Sequence, residues 1–389
     1  MNKTRSQIQG ERGIVLVSSL VILSALVIAG ASARVMLQND HQTSANLRGG
    51  TQAFYLAASG LEWSKSEIAS TASFPPAPND RTMNFSSGNF TVSFMSPAIV
   101  GPLSAKVLVR SAGMFGAASH SLQAQLTKVY DLSDGAIGIR GNIAGAVLSG
   151  SSVRISGIDH NPTSATAVPG SVARPAISTS SSSVQGLIEA AVANLPQGSV
   201  GSGGSTPAVA ASTYLPASAV NQLASDLCAS PGALVSAIPA GGSLIVDNQV
   251  WGNQSTPQLR CIDGLASSGD GLTMTGSNSG SGILIVRDAD LILAGTFRWD
   301  GLIIVTGSNV GFRASGSSSK TIFGALVLNE TGSPASGFPI MDVQGSLELL
   351  FSRAALTWSA GLIPAATITG LYAALPSVIS QDYWRSVSP

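Results

Sequence analysis

The spacing of apolar and polar residues divides the chain into distinct textures. From Gly13 to Ala33, between Arg12 and Arg34, 21 residues carry no charge. As a helix rising 1.5 Å per residue this run reaches about 30 Å, the hydrocarbon thickness of a bilayer. Past Arg34, "RVMLQNDHQTSANLR" has no Pro or Gly and a mixed polar face, and after Gly49 and Gly50 apolar residues return at helical spacing as Phe54, Ala57, Leu61 and Ile68. The pattern predicts one long helix over residues 14–70, apolar first and amphipathic afterwards. The prolines of "SFPPAPND" (73–80) end it, since Pro removes a donor and clashes with the preceding turn.

Strict alternation marks residues 80–130, with Phe90, Val92 and Phe94, then Val107 and Val109, then Leu122, Ala124 and Leu126. Three antiparallel strands are expected there, forming a small sheet packed on the amphipathic half of the helix. From Asp131 short apolar strands are punctuated by Gly, Ser, Asn and Asp. A phrase close to G-x-L-x-V recurs at Gly282, Gly301 and Gly324, spaced by 19 and 23 residues. Such a recurrence suits stacked coils of a parallel β-solenoid. The consecutive apolar residues in "ILIV" and "LIIV" favour that over an antiparallel sandwich, because they imply burial on both faces.

Residues 161–240 read as a Ser/Pro/Gly-rich insertion with two short helices, "SVQGLIEAAVANL" and "SAVNQLASDLCAS". The expected fold class is α+β. After the helix and small sheet come a solenoid begun in 131–160 and resumed in 241–360, and a C-terminal cap in 361–389.

Composition narrows the function. Formal net charge is zero and only 10% of the residues are charged. Nucleic-acid binding needs a clustered Lys/Arg face, and none occurs. Cys228 and Cys261 stand apart from any CxxC or His-rich stretch, so they form either a disulfide or two inert buried thiols. A disulfide would pin the insertion to the resumed solenoid, and export would favour it.

Lys3, Arg5 and Arg12 precede the apolar run against a single Glu11, which places the N-terminus in the cytoplasm and exports the chain beyond Arg34. The residues alone leave three fates for the segment: a signal peptide cut at "ASA" (31–33), a permanent anchor, or a helix that moves from membrane to polymer.

Two stretches carry a family resemblance. "ERGIVLVSSLVIL" resembles the class III leader junction of type IV pilins, and "AFYLAASGLEWS" (53–64) resembles a segment typical of PilX-type minor pilins. The hairpin "VLVRSAGMFGAASHSLQAQL" extends the likeness to about residue 130. The resemblance implies a leader over residues 1–13, cleavage by prepilin peptidase after Gly13, and Ile14 as a methylated N-terminus. It implies a precursor in the bacterial inner membrane with its bulk periplasmic, later in the pilus or at the cell surface. The implied partners are other major and minor pilins and a surface ligand at the filament tip, with no cofactor. Mature position five would be Ser18, where major pilins carry Glu, a departure that suits a low-abundance subunit at a tip or at initiation. The alternative is a secreted β-solenoid that binds or degrades polysaccharide after ordinary signal-peptide cleavage.

Candidate chemistry is sparse. The histidines are His41, His120 and His160. Asp159 and His160 adjoin in "GIDHNP", where turn residues satisfying local backbone groups are expected rather than an acid/base pair. A lyase-like cluster could draw on Asp270, Asp288, Asp290 and Asp300 with Arg287, Arg298 and Arg313, but these Asp residues sit where turns close. "SGDGLTMTGSNSG" lacks the carboxylate density of a calcium site, and "GSGGS" lacks the GK[ST] of a phosphate loop. The expectation is a non-enzymatic protein with no metal site.

Overall fold

The computed structural model describes residues 5–71, 74, 76, 79–101, 103–150, 152–202, 206–239, 241–265, 271–332 and 338–387, with side chains from Val15 onward and Thr369 excepted. Helix α1 spans Arg5–Ser70, 66 residues, and so extends about 100 Å. Every residue from 15 to 48 is exposed, and a buried face begins at Gly49.

That face is a single stripe of Ala53, Ala57, Leu61, Ser64 and Ile68 at spacings of three and four, as an amphipathic helix requires. It packs on the alternate residues Phe90, Val92, Val107, Val109, Leu122, Ala124 and Leu126 of an antiparallel sheet. Small residues let the two backbones meet. A Cβ on Gly113 would lie 2.2 Å from the Ala53 carbonyl oxygen and 2.5 Å from the Ala57 nitrogen. At its C-terminal end the helix is tied down by Lys128, whose Nζ donates to the carbonyls of Ile68 (2.7 Å) and Thr71 (3.0 Å).

The sheet has five strands where three are expected. Strands β1 (Asp80–Phe85), β2 (Gly88–Gly101), β3 (Ser104–Phe115) and β4 (Ala118–Tyr130) lie side by side in chain order, and Ser377–Val387 pairs antiparallel with β4. The C-terminal residues, expected to cap the stack, thus divide. Ile368, Leu371, Tyr372 and Leu375 enter the main core, while the last strand completes the antiparallel sheet. "ISQDYWRS" conceals a strand because most of its residues are exposed and no apolar face alternates. Everything between Tyr130 and Ser377 is consequently an insertion between two neighbouring strands.

This inserted body contains two parallel sheets. Strands Gln258–Asp263, Ser277–Arg287, Thr296–Gly307 and Lys320–Glu330 lie side by side in chain order in the larger sheet. Strands Gly271–Thr275, Asp290–Leu293, Phe312–Ala314 and Met341–Val343 do the same in the smaller one, so the chain alternates between the sheets. The recurrent glycines fall on one ladder: Gly282 pairs with Gly301, and Gly301 with Gly324. Their φ values are 118°, 150° and 128°, and a Cβ on Gly301 or Gly324 would come within 2.0 Å of the carbonyl oxygen of the glycine before it. Only glycine permits the strands to bend there while remaining stacked.

The stacking order departs from chain order at its start. Ile137–Gly141, the first strand of the body, pairs with the last long strand, Ile137 beside Leu326. The chain lays that strand, makes the insertion, resumes at the far end with Ala233–Ala237, and works back. The insertion is not all loop and helix: Ile177–Thr179 and Val209–Ala211 extend the larger sheet. Strands of three residues are too short to show periodicity. At the junction with the antiparallel sheet, buried Asp131 accepts from Arg174 and from Arg353 Nε (2.8 Å), clamping the entry strand to the C-terminal segment.

Candidate functional site: an unburied apolar helix

The exposed half of α1 is the most conspicuous surface of the molecule. Leu16, Val21, Leu23, Ile28 and Leu37 are between 59% and 71% exposed. Leaving one such side chain in water rather than burying it costs about 1.5–3 kcal/mol. A continuous apolar rod of this kind needs lipid or protein around it, and the helix is long and apolar enough to cross a membrane.

Its polar side chains are arranged for an apolar setting. Ser18, Ser19 and Ser24 donate their hydroxyls to the carbonyls of Val15 (3.0 Å), Leu16 (2.9 Å) and Val21 (2.8 Å). Each hydroxyl is thereby satisfied within the helix, removing most of the cost of immersion in hydrocarbon. Residues 31–33, the "ASA" of a possible signal-peptide cut, lie mid-helix, and α1 continues unbroken through Arg34. The junction of Gly13 and Ile14 lies outside the residues whose side chains are described.

Where the rod meets the head, an aromatic groove that no sequence pattern announces runs beside it. Phe54, Tyr55, Leu122 and Trp384 line about 460 Å³, and Leu47, Thr51 and His120 border an adjoining 600 Å³. His120 packs edge-on against Phe54 at 5.2 Å and contacts Ser386 Oγ at 3.1 Å. The groove is hidden in the sequence because its far wall is the unforeseen C-terminal strand.

The side chains considered for catalysis are held in structural pairs. Asp159 Oδ1 accepts from the backbone N–H of Arg353 (2.9 Å), at the start of the helix Arg353–Ala360, while His160 Nδ1 lies 2.7 Å from the Ile158 carbonyl, to which it donates. Arg287 grips Asp263 through two hydrogen bonds of 2.7 and 2.8 Å. Arg313 bonds Asp290 at 2.9 Å and Arg298 bonds Asp300 at 3.2 Å. Burial pushes the Asp290 carboxyl up against the pull of Arg313. Asp288 accepts from the backbone of Ser308 in a turn, and Asp270 lies outside the described residues. Among the described residues no three His, Cys, Asp or Glu side chains gather as a metal site would require.

Cys228, at the end of the helix Ala217–Cys228, is disulfide-bonded to Cys261, with Cα atoms 5.6 Å apart. Cys261 is in register with Ile285, Ile304 and Val327, on the strands against which this helix packs.

No family model and no curated protein matches the chain. Among solved structures, 87% of the chain aligns with 98% of the competence-associated pilin ComZ from Thermus thermophilus, at 13% identity and a TM-score of 0.25.

Proposed function

We propose that this chain is a non-catalytic minor pilin or pilin-like factor of a type IV pilus or related pseudopilus, acting in assembly, tip formation or adhesion. The observation that carries the reading is the fully exposed stretch of residues 15–48, apolar as far as Ala33 and polar-faced beyond Arg34, continuous with a half that is packed tightly on a head. A cleaved signal peptide has no need of that continuity. A helix that exchanges lipid for a bundle of like helices does, because it transmits the position of the rod to the head. In this reading the precursor sits in the inner membrane with its N-terminus cytoplasmic and its bulk periplasmic. Prepilin peptidase cuts after Gly13, Ile14 becomes the methylated N-terminus, and the helix joins other major and minor pilins.

Ser18 supports a low-abundance role. It carries no carboxylate to pair with the terminal amine of a neighbouring subunit, and its hydroxyl is occupied by its own helix. The alternating parallel sheets support reading the inserted body as coils of a β-solenoid carried on the pilin-like sheet. Gly13→Asp tests the processing step. The expected result is a full-length precursor retained in the membrane and absent from sheared filaments. A variant still shortened by a leader-sized step and present in filaments would overturn the proposal.

A further inference from the structure

A cleft lies on the larger parallel sheet, apart from the helix. Ahead of the glycine ladder, Ser279 stands beside Arg298 and Ser281 beside Asp300, while Val250 flanks Ser279 from the other side. The loop after Trp251 rises along one wall of an open cleft of about 510 Å³, lined by Asn253, Gln254, Ser255, Ser279, Arg298 and Asp300. Ligand sites commonly fall within about 300–1,000 Å³.

The cleft is built rather than incidental. Asp300, 5% exposed, accepts from Gln254 Nε2 at 3.0 Å and from Arg298 Nε at 3.2 Å. Arg298 also donates to the Pro162 carbonyl at 2.7 Å and lies over the Phe323 ring at 5.0 Å, yet its side chain stays 46% exposed. Asn253 Oδ1 accepts from the backbone N–H of Ser255 and of Thr256, both at 2.9 Å, which fixes the loop. The walls therefore present amides, hydroxyls and a guanidinium–carboxylate pair in set positions.

That inventory selects a ligand class. A divalent cation wants several free oxygen ligands, and the one carboxylate here already holds two donors. A polyanion wants uncompensated cations, and the one guanidinium is balanced by Asp300. An apolar ligand would cover the half-exposed Arg298 guanidinium and the partly exposed Ser279 hydroxyl without pairing them. A neutral molecule dense in hydroxyls, each both donor and acceptor, matches them, and exposed Val250 offers an apolar surface for ring carbons. We infer that this cleft binds an uncharged oligosaccharide across neighbouring strands. The inference does not rest on the anchor reading, since sugar binding and the identity of the mature N-terminus are measured separately.

The test uses the full chain in a zwitterionic detergent that carries no sugar, titrated with maltotetraose and with chitotetraose and followed by saturation-transfer NMR and calorimetry. Saturable binding of at least one is expected. Ser279→Trp, which fills the cleft from a partly exposed position, lowers affinity by about tenfold or more with the unfolding midpoint unchanged. Gln254→Leu, which frees the loop from Asp300, also weakens binding. No saturable binding of either sugar at millimolar concentration, or equal binding by the parent and both variants, overturns the inference. Preference for an acidic polysaccharide such as polygalacturonate over both neutral probes also overturns it.

Discussion

Lys128 Nζ donates a 2.7 Å hydrogen bond to the carbonyl oxygen of Ile68, so a strand of the head caps the end of the helix that enters it. The lysine is 3% exposed, and burial lowers its pKa. Lys128→Met would leave the Ile68 and Thr71 carbonyls without this donor. We expect a loss of about 1–3 kcal/mol in denaturant unfolding of the full chain. Hydrogen exchange at residues 67–71 should quicken before that of the central sheet. Unchanged exchange there would show that the cap does not hold the helix.

Gly113 sets how closely the helix and sheet approach. Gly113→Ala forces a methyl group against the Ala53 carbonyl, and overpacking of this kind costs about 1–3 kcal/mol. Gly116→Ala, with nothing within 4 Å but φ at +59°, should cost only about 1 kcal/mol. Comparing the two unfolding midpoints separates steric contact from backbone conformation, and an equal effect would remove the contact as the cause.

The long helix and the alternating strands β2 to β4 are legible in the sequence because each buries one face, leaving a period of 3.6 or 2 in the chain. Consecutive apolar residues such as Ile283 to Val286 are legible as burial on both faces. Two relationships are not. The C-terminal strand is mostly exposed, shows no alternating apolar face and is held by backbone pairing and Asp382, and the pairing of Ile137 with Leu326 depends on the order in which strands are laid down, which no local pattern records. The cleft around Asp300 is equally hidden. Its residues come from Val250 to Ser255, Ser279 and Arg298, which only the register brings together.

Asp382 gives the C-terminal strand a pH signature. The hydrogen bond from Lys106 at 2.9 Å holds its carboxyl below the usual value of 3.8, with Thr127 assisting. A folded-state pKa below the unfolded one gives stability that is present above pH 3.8 and lost as pH falls through the folded value. The stability gap between the parent and Asp382→Asn should therefore be constant above pH 3.8 and close below it. A gap that persists at lower pH would assign the effect to packing.

Reduction should act on the inserted body. Cys228 and Cys261 are 33 positions apart, and closing a loop of that length stabilises by about 3–4 kcal/mol on the chain-entropy estimate. Cys228→Ser with Cys261→Ser should lower the denaturant midpoint of the body by a corresponding amount and make it insensitive to reductant. Equal midpoints for parent and double variant would show that the helix Ala217–Cys228 holds to the sheet without the bond.

On the pilin reading proposed above, the apolar rod stays with the mature protein after a short leader is removed. Mass spectrometry of the N-terminal peptide from protein isolated from cells decides this. A chain beginning at Ile14 with a methylated amine is expected. A chain beginning at Arg34 would make the rod a discarded signal peptide, and one beginning at Met1 or Asn2 would make it an unprocessed anchor; either would overturn the pilin reading.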